Sequence, residues 1–159
     1  MKILDGHNLI GAGAACGLSL EQPDKEARLL RLLVAHRSRR RSRERTLVVF
    51  DGHHGRLAVG PRRYSHGGVD VEIAIGESAD AVILRRVRGA AHPREITVVT
   101  SDGAVLRGAA SSGAKGMRAS EFFAEVQAAA PAGAEEAEKP EAPGPDEVAE
   151  WIERFGEGR

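Results

Sequence analysis

Four apolar runs in this chain of 159 residues stop at or near a carboxylate. Asp5 follows Lys2-Ile3-Leu4, Asp51 follows Thr46-Leu47-Val48-Val49-Phe50, and Asp102 follows Glu95-Ile96-Thr97-Val98-Val99-Thr100-Ser101. The fourth run, Val69 to Ile75, leads into Gly76-Glu77-Ser78-Ala79-Asp80. An aspartate at a strand end is commonly a turn or cap residue, so none of these indicates chemistry alone. Their recurrence does. In an open α/β sheet the C-terminal strand ends line the crevice where ligands sit. Carboxylates crowded there repel one another unless protonated or neutralised. A divalent cation neutralises them, and all-oxygen ligation favours Mg²⁺ or Mn²⁺. Such an ion polarises a phosphate and activates water, the chemistry of phosphodiester hydrolysis.

The charge distribution points to the same substrate class. Lys and Arg balance Asp and Glu at 23 each, but residues 1–120 carry a net +8 and residues 121–159 a net −8. Six arginines fall between Arg37 and Arg45, more than a helix C-terminus needs to offset its dipole. Arg39, Arg40, Arg41 and Arg43, with Arg62 and Arg63 from a second basic stretch, are candidate phosphate contacts. Aromatic residues make up only 4% of the chain, so backbone contacts should outweigh base stacking. The six histidines show no zinc spacing, and the single Cys16 excludes an internal disulfide. No apolar stretch approaches the ~20 residues of a spanning helix. The opening Met1-Lys2-Ile3-Leu4-Asp5 is not an apolar leader, so the expected location is the cytoplasm, with no membrane partner.

The elements that must position these groups can be read from periodicity. Residues 2–4, 46–50, 69–75 and 95–100 read as strands, and the unbroken apolarity of 46–50 suits a strand covered on both faces. Asp70 and Glu72 alternate with apolar neighbours and are expected to face solvent. Helices are expected over about 21–41, from Ser78 as N-cap through Val87, after Gly103, and over 119–129. Asp5-Gly6-His7-Asn8 reads as a turn, Gly11 to Gly17 as loop or loose helix, Gly55 to Gly68 as an exposed basic loop, and Ser111 to Gly116 as a turn. Strands alternating with helices predict an α/β domain over residues 1–130 with a mostly parallel sheet. Residues 131–145 read as a flexible acidic linker rich in Pro, Ala and Gly. Residues 146–159 contain a short amphipathic helix with Val148, Trp151, Ile152 and Phe155 on one face. At about ten residues it needs something to dock on.

Read together, Asp5-Gly6-His7-Asn8, Val48-Val49-Phe50-Asp51, Glu77-Ser78-Ala79-Asp80 and Thr100-Ser101-Asp102 resemble the YacP-like branch of the NYN family, within the PIN-like nuclease superfamily. The family pattern runs D-G-Y-N, V-V-F-D-A-H, E-T-A-D and T-S-D in that order. Gly113-Ala114-Lys115-Gly116-Met117-Arg118-Ala119-Ser120-Glu121 resembles a later G-A-x-R-x-S-A-x-E-L segment, and the terminal helix resembles a short helix at the family's C-terminus. His7 stands where the family has Tyr, Gly52-His53-His54 stands for Ala-His, and Gly103-Ala104-Val105-Leu106-Arg107 replaces a T-E-Q-W-type continuation.

The resemblance implies a PIN-like three-layer α/β/α sandwich and a metal-dependent endoribonuclease acting on single-stranded RNA, including messenger RNA on the ribosome. By position, Asp5, Asp80 and Asp102 match the family's metal-binding acids, and Glu77 matches a fourth. Asn8 would orient Asp5 or a water, while Asp51 and Ser101 would support the site. Two other readings use the same body. One is a non-catalytic RNA- or ribosome-binding module. The other is a phosphohydrolase of small esters, against which the extended arginine surface argues.

Overall fold

The computed structural model describes residues 1–52 and 62–129. His53, His54, the linker and the expected terminal helix lie outside the described residues. Strands β1 (Lys2–Asp5), β2 (Thr46–Asp51), β3 (Arg63–His66), β4 (Val69–Ala74), β5 (Thr97–Val99) and β6 (Lys115–Met117) alternate with helices α1 (Gly6–Ala12), α2 (Lys25–Arg39), α3 (Ala79–Arg88), α4 (Gly103–Ser111) and α5 (Ala119–Ala128). The strands form one sheet in the order β3-β4-β2-β1-β5-β6. All neighbours are parallel except the β3–β4 pair.

The alternation of a strand explains the layers. Leu4, Val48, Phe50, Val71 and Val99 pack on one face against Leu9 and Ile10 of α1, Leu29 and Leu33 of α2, and Phe122 and Val126 of α5. Ile3, Leu47, Val49 and Val98 turn to the other face, against Val82, Ile83 and Val87 of α3 and Val105 and Ala109 of α4. Each strand is apolar on both sides because each side is covered. The result is a mostly parallel sheet, as the strand–helix alternation predicts, inside the three-layer α/β/α sandwich that the resemblance implies.

Four local expectations differ. Asp5-Gly6-His7-Asn8 is not a free turn but the capped start of α1, whose Leu9 and Ile10 are fully buried. The stretch read as a basic loop contains β3, which turns back on β4 through Gly67 and Gly68 at φ +57° and +81°. Consecutive left-handed glycines form the tight hairpin turn that the strand twist favours. The turn read at 111–116 includes the start of β6. Glu72, expected in solvent, is 5% exposed. Its face of β4 is roofed by α3 and flanked by β3, and it is held by Arg63 at 2.8 Å and Arg86 at 2.7 Å. Asp70, on the same face, is half-exposed and pairs with Arg45 at 3.4 Å.

His36 of α2 is buried edge-on against Phe122, with ring centroids 5.8 Å apart. Burial, helped by Arg40, Lys2 and Arg39 and opposed by Glu125, holds its pKa below the ordinary 6.5. The folded protein therefore resists protonation that the unfolded chain accepts. His36 leaves stability intact above about pH 6.5, and that stability is lost as pH falls through its depressed folded value. Urea titrations in neutral and mildly acidic buffer should show this loss, and His36→Gln should reduce it. An identical pH dependence in the variant would remove His36 as its source.

Candidate active site

The sheet order fixes where a crevice forms. The connection leaving β1 enters α1 on one face, while that leaving β5 enters α4 on the other. Adjacent strands whose exits diverge leave a gap beyond their C-terminal ends. Asp5 stands at the end of β1, and Thr100, Ser101 and Asp102 follow β5 directly across from it.

Hydrogen bonds stitch this gap. Asp5 is 6% exposed. Its Oδ1 accepts from the Asn8 backbone N–H at 3.2 Å, capping α1, and its Oδ2 accepts from the Thr100 hydroxyl at 3.0 Å. The Thr100 hydroxyl oxygen in turn accepts from the Asp102 backbone N–H at 3.1 Å. Asp102 caps α4, its Oδ1 accepting from Ala104 N–H at 2.6 Å and Val105 N–H at 3.3 Å. The Asn8 side-chain oxygen accepts from the Ser101 backbone N–H at 2.7 Å, tying α1 to the β5–α4 turn. Ser101 contributes this backbone donor rather than its hydroxyl. Thr100 was not among the residues singled out by sequence. It is fully buried, and the Thr-Ser-Asp motif was its only signal.

The other side of the rim is built similarly. Asp51, ending β2, accepts from the Ala79 backbone N–H at 2.8 Å through Oδ1, and Ser78 caps α3 from its own side chain. Asp80 then lies in the first turn of α3. Among the described residues its carboxylate has no hydrogen-bond or ion-pair partner. Burial pushes its pKa up, and the charges of Asp102 and Asp51 push it further. Asp5 is pushed up in the same way, first by burial and then by Asp80 and Asp51, against the pull of its Asn8 and Thr100 hydrogen bonds. Asp5, Asp51, Asp80 and Asp102 thus share one electrostatic neighbourhood. None of the four is ion-paired to a Lys or Arg among the described residues. The N-termini of α1, α3 and α4 meet them there and offset part of the negative charge.

Glu77 is not drawn into this group. Its carboxylate pairs with Arg85 of α3 at 2.6 Å. The arginines divide as well. Arg39, Arg40, Arg41 and Arg43 lie at the end of α2 and before β2, beside the strand N-termini, and Arg40 is held by Glu125 at 3.3 Å. The six residues of β2 put them about 20 Å from the rim. Arg62 and Arg63 lie along β4 instead, where the Arg62 carbonyl accepts from Ile73 N–H and Arg63 faces Glu72. His7 packs its ring edge-on to Phe50 at 5.4 Å and meets Glu26 at 3.2 Å.

Among the described residues no three His, Cys, Asp or Glu side chains form a ready metal cage. The donor set nevertheless fits a hard cation: four mutually repelling carboxylates, with Asp80 unbonded and the second oxygens of Asp51 and Asp102 accepting no hydrogen bond from described residues. Mg²⁺ needs no closed cage, because it keeps most of its waters and takes one or two carboxylates plus substrate phosphate.

An open α/β sheet with aspartates on both sides of its switch point is the frame of a PIN-like nuclease-fold protein. The chain belongs to the YacP-like NYN domain family, whose model matches residues 2–153. It is similar to the crystal structure of Rae1 (YacP) from Bacillus subtilis, at 25% identity and a TM-score of 0.61 over 81% of this chain and 74% of that one. A tryptophan-to-leucine mutant of the same Bacillus subtilis protein matches over 80% and 75%, at the same identity and TM-score. No curated protein matches the chain. Family and fold give it a nuclease-type, RNA-related role. No helix among the described residues is long and apolar enough to cross a membrane.

Proposed function

We propose that the chain is a divalent-metal-dependent endoribonuclease that hydrolyses single-stranded RNA. The observation that carries this reading is Asp80, a carboxylate held against Asp51 and Asp102 with no hydrogen-bond or ion-pair partner among the described residues. Asp5, Asp80 and Asp102 would hold one or two Mg²⁺ or Mn²⁺ ions, and Glu77 would join them only on leaving Arg85. A cation bound there would polarise the scissile phosphate and ready a water for attack. Thr100 keeps Asp5 aimed across the gap, Asn8 fixes the β5–α4 turn against α1, and Asp51 sets the start of α3 and so the position of Asp80. Arg62 and Arg63 would meet the RNA backbone near the rim, whereas Arg39, Arg40, Arg41 and Arg43 would meet it only farther along.

The test is cleavage of mixed single-stranded RNA and DNA in Mn²⁺, Mg²⁺ or EDTA. RNA cutting that needs the ion and stops in EDTA is the expected result. Binding of RNA with no cutting under any ion, on naked RNA or on translating ribosomes, would replace the enzyme with a binding module. Cutting confined to translating ribosomes would keep the activity and assign the ribosome as partner.

A further inference from the structure

Beside the rim, where β4 ends and α3 begins, lies a cavity of about 350 Å³. Arg62, Arg63, Arg85, Glu77 and Ile75 are among the described residues that line it. It adjoins the acid cluster along the chain: Ala74, also in its wall, is the register partner of Asp51, and Glu77 is three residues before Asp80. Its three cations are not equivalent. Arg63 is committed to the buried Glu72. Arg62 is exposed, and its side chain has no partner among the described residues. Arg85 is occupied by Glu77, but both side chains are well exposed, at 55% and 39%. An ion pair so open to water is weak and exchangeable. Ile75 is exposed at 39%, an apolar surface among polar neighbours.

We infer that this cavity is a phosphate subsite for the RNA strand beside the cut, in which a backbone phosphate binds Arg62 and displaces the Glu77 carboxylate from Arg85. It rests on the RNA reading above and adds to it the path of the strand. Glu77 is the right stand-in, because a carboxylate and a phosphate present the same oxygen pair to a guanidinium fork. The Ile75 side chain offers the attached nucleoside an apolar contact. The subsite places the RNA on the β4 side of the rim and leaves the arginines at the end of α2 outside it.

The experiment measures anisotropy of a short fluorescein-labelled oligouridylate in EDTA, over a salt series, so that metal binding and cleavage play no part. Arg62→Gln and Arg85→Gln should each weaken binding at least about tenfold, the worth of one charge-assisted contact. Each should also lower the slope of log affinity against log salt by about 0.7. Glu77→Gln should tighten binding, because it releases Arg85 and removes a negative charge. A merely structural ion pair would instead give both of its partners the same sign. Arg94→Gln, which removes an exposed arginine just before β5 on the opposite pole, should bind like the parent. Parent-like binding by Arg62→Gln and Arg85→Gln, or weaker binding by Glu77→Gln, overturns the subsite while leaving the RNA reading in place. Failure of the parent protein to bind the oligonucleotide at all takes down the RNA reading and the subsite with it.

Discussion

Asp80→Asn cuts single-stranded RNA at least about a hundredfold more slowly than the parent chain and melts at the same temperature or higher. The rate follows from position. Removing a group that only supports a metal ligand costs up to about a hundredfold, so removing the carboxylate itself should cost no less. The stability follows from the sign of its titration. Burial, Asp102 and Asp51 raise its pKa above the ordinary 3.8, so the fold favours its protonated form. Its contribution is fully present at low pH and is lost as pH rises through the folded value. At neutral pH the ionised group therefore works against the fold. The amide removes that charge without removing any hydrogen bond, since none reaches Asp80 from the described residues. Parallel cleavage assays and thermal melts check both halves. A variant that cuts at the parent rate would remove Asp80 from the mechanism, and one that melts well below the parent would show that its charge supports the fold.

Gly6→Ala, by contrast, damages the fold and the site together. A Cβ at Gly6 would sit 2.3 Å from Cδ1 and Cε1 of Phe50. That ring is fully buried in the core between the sheet and α1 and cannot swing aside. Overpacking of this kind costs about 1–3 kcal/mol, with roughly 2–4 °C of melting temperature lost per kcal/mol in a chain of this size. Because Gly6 directly follows Asp5, the displacement also pulls that carboxylate from the Thr100 hydroxyl, so cleavage falls as well. Urea unfolding measures the first loss and the RNA assay the second. Adding Phe50→Leu, which opens room for the new methyl, should recover part of the stability. Parent-like stability of Gly6→Ala alone would show that Phe50 yields more easily than the packing implies.

The central strands were legible because burial on both faces leaves a sequence mark. The runs at Ile3-Leu4, Leu47 to Phe50 and Val98-Val99 carry it, and the aspartates that follow them mark where the chain emerges. Edge strands leave no such mark. Every residue of Arg63-Tyr64-Ser65-His66 is exposed, and Lys115-Gly116-Met117 carries one apolar side chain, Met117, packed on the core. Both are strands because a neighbour offers a ladder, and Gly67-Gly68 was the one local cue for the first. Helix α1 was obscured because the residues that begin it, Asp5 and Gly6, are also turn formers. Glu72 misled for a different reason: period-two alternation tells which residues share a face but not what covers that face. In the site, the placement of Asp5, Asp51 and Asp102 on one rim follows from strand order, and so was readable once the α/β class was. The partner of Glu77 was not, since Arg85 is eight positions away across a helix start. Thr100 was missed because a buried hydroxyl between two aspartates looks, in sequence, like the last β-branched residue of a strand.

The margins of the sheet bear on how the molecule behaves in a crowd. An unpaired strand edge is an invitation for a second chain to extend the ladder and so begin aggregation. Here the two outermost strands are only four and three residues long. One bears Arg63 and the other Lys115, so an incoming strand gains few hydrogen bonds and meets a charged edge. The central strands, whose apolar runs are the most prone to such association, are shielded from it by the least apolar strands in the fold.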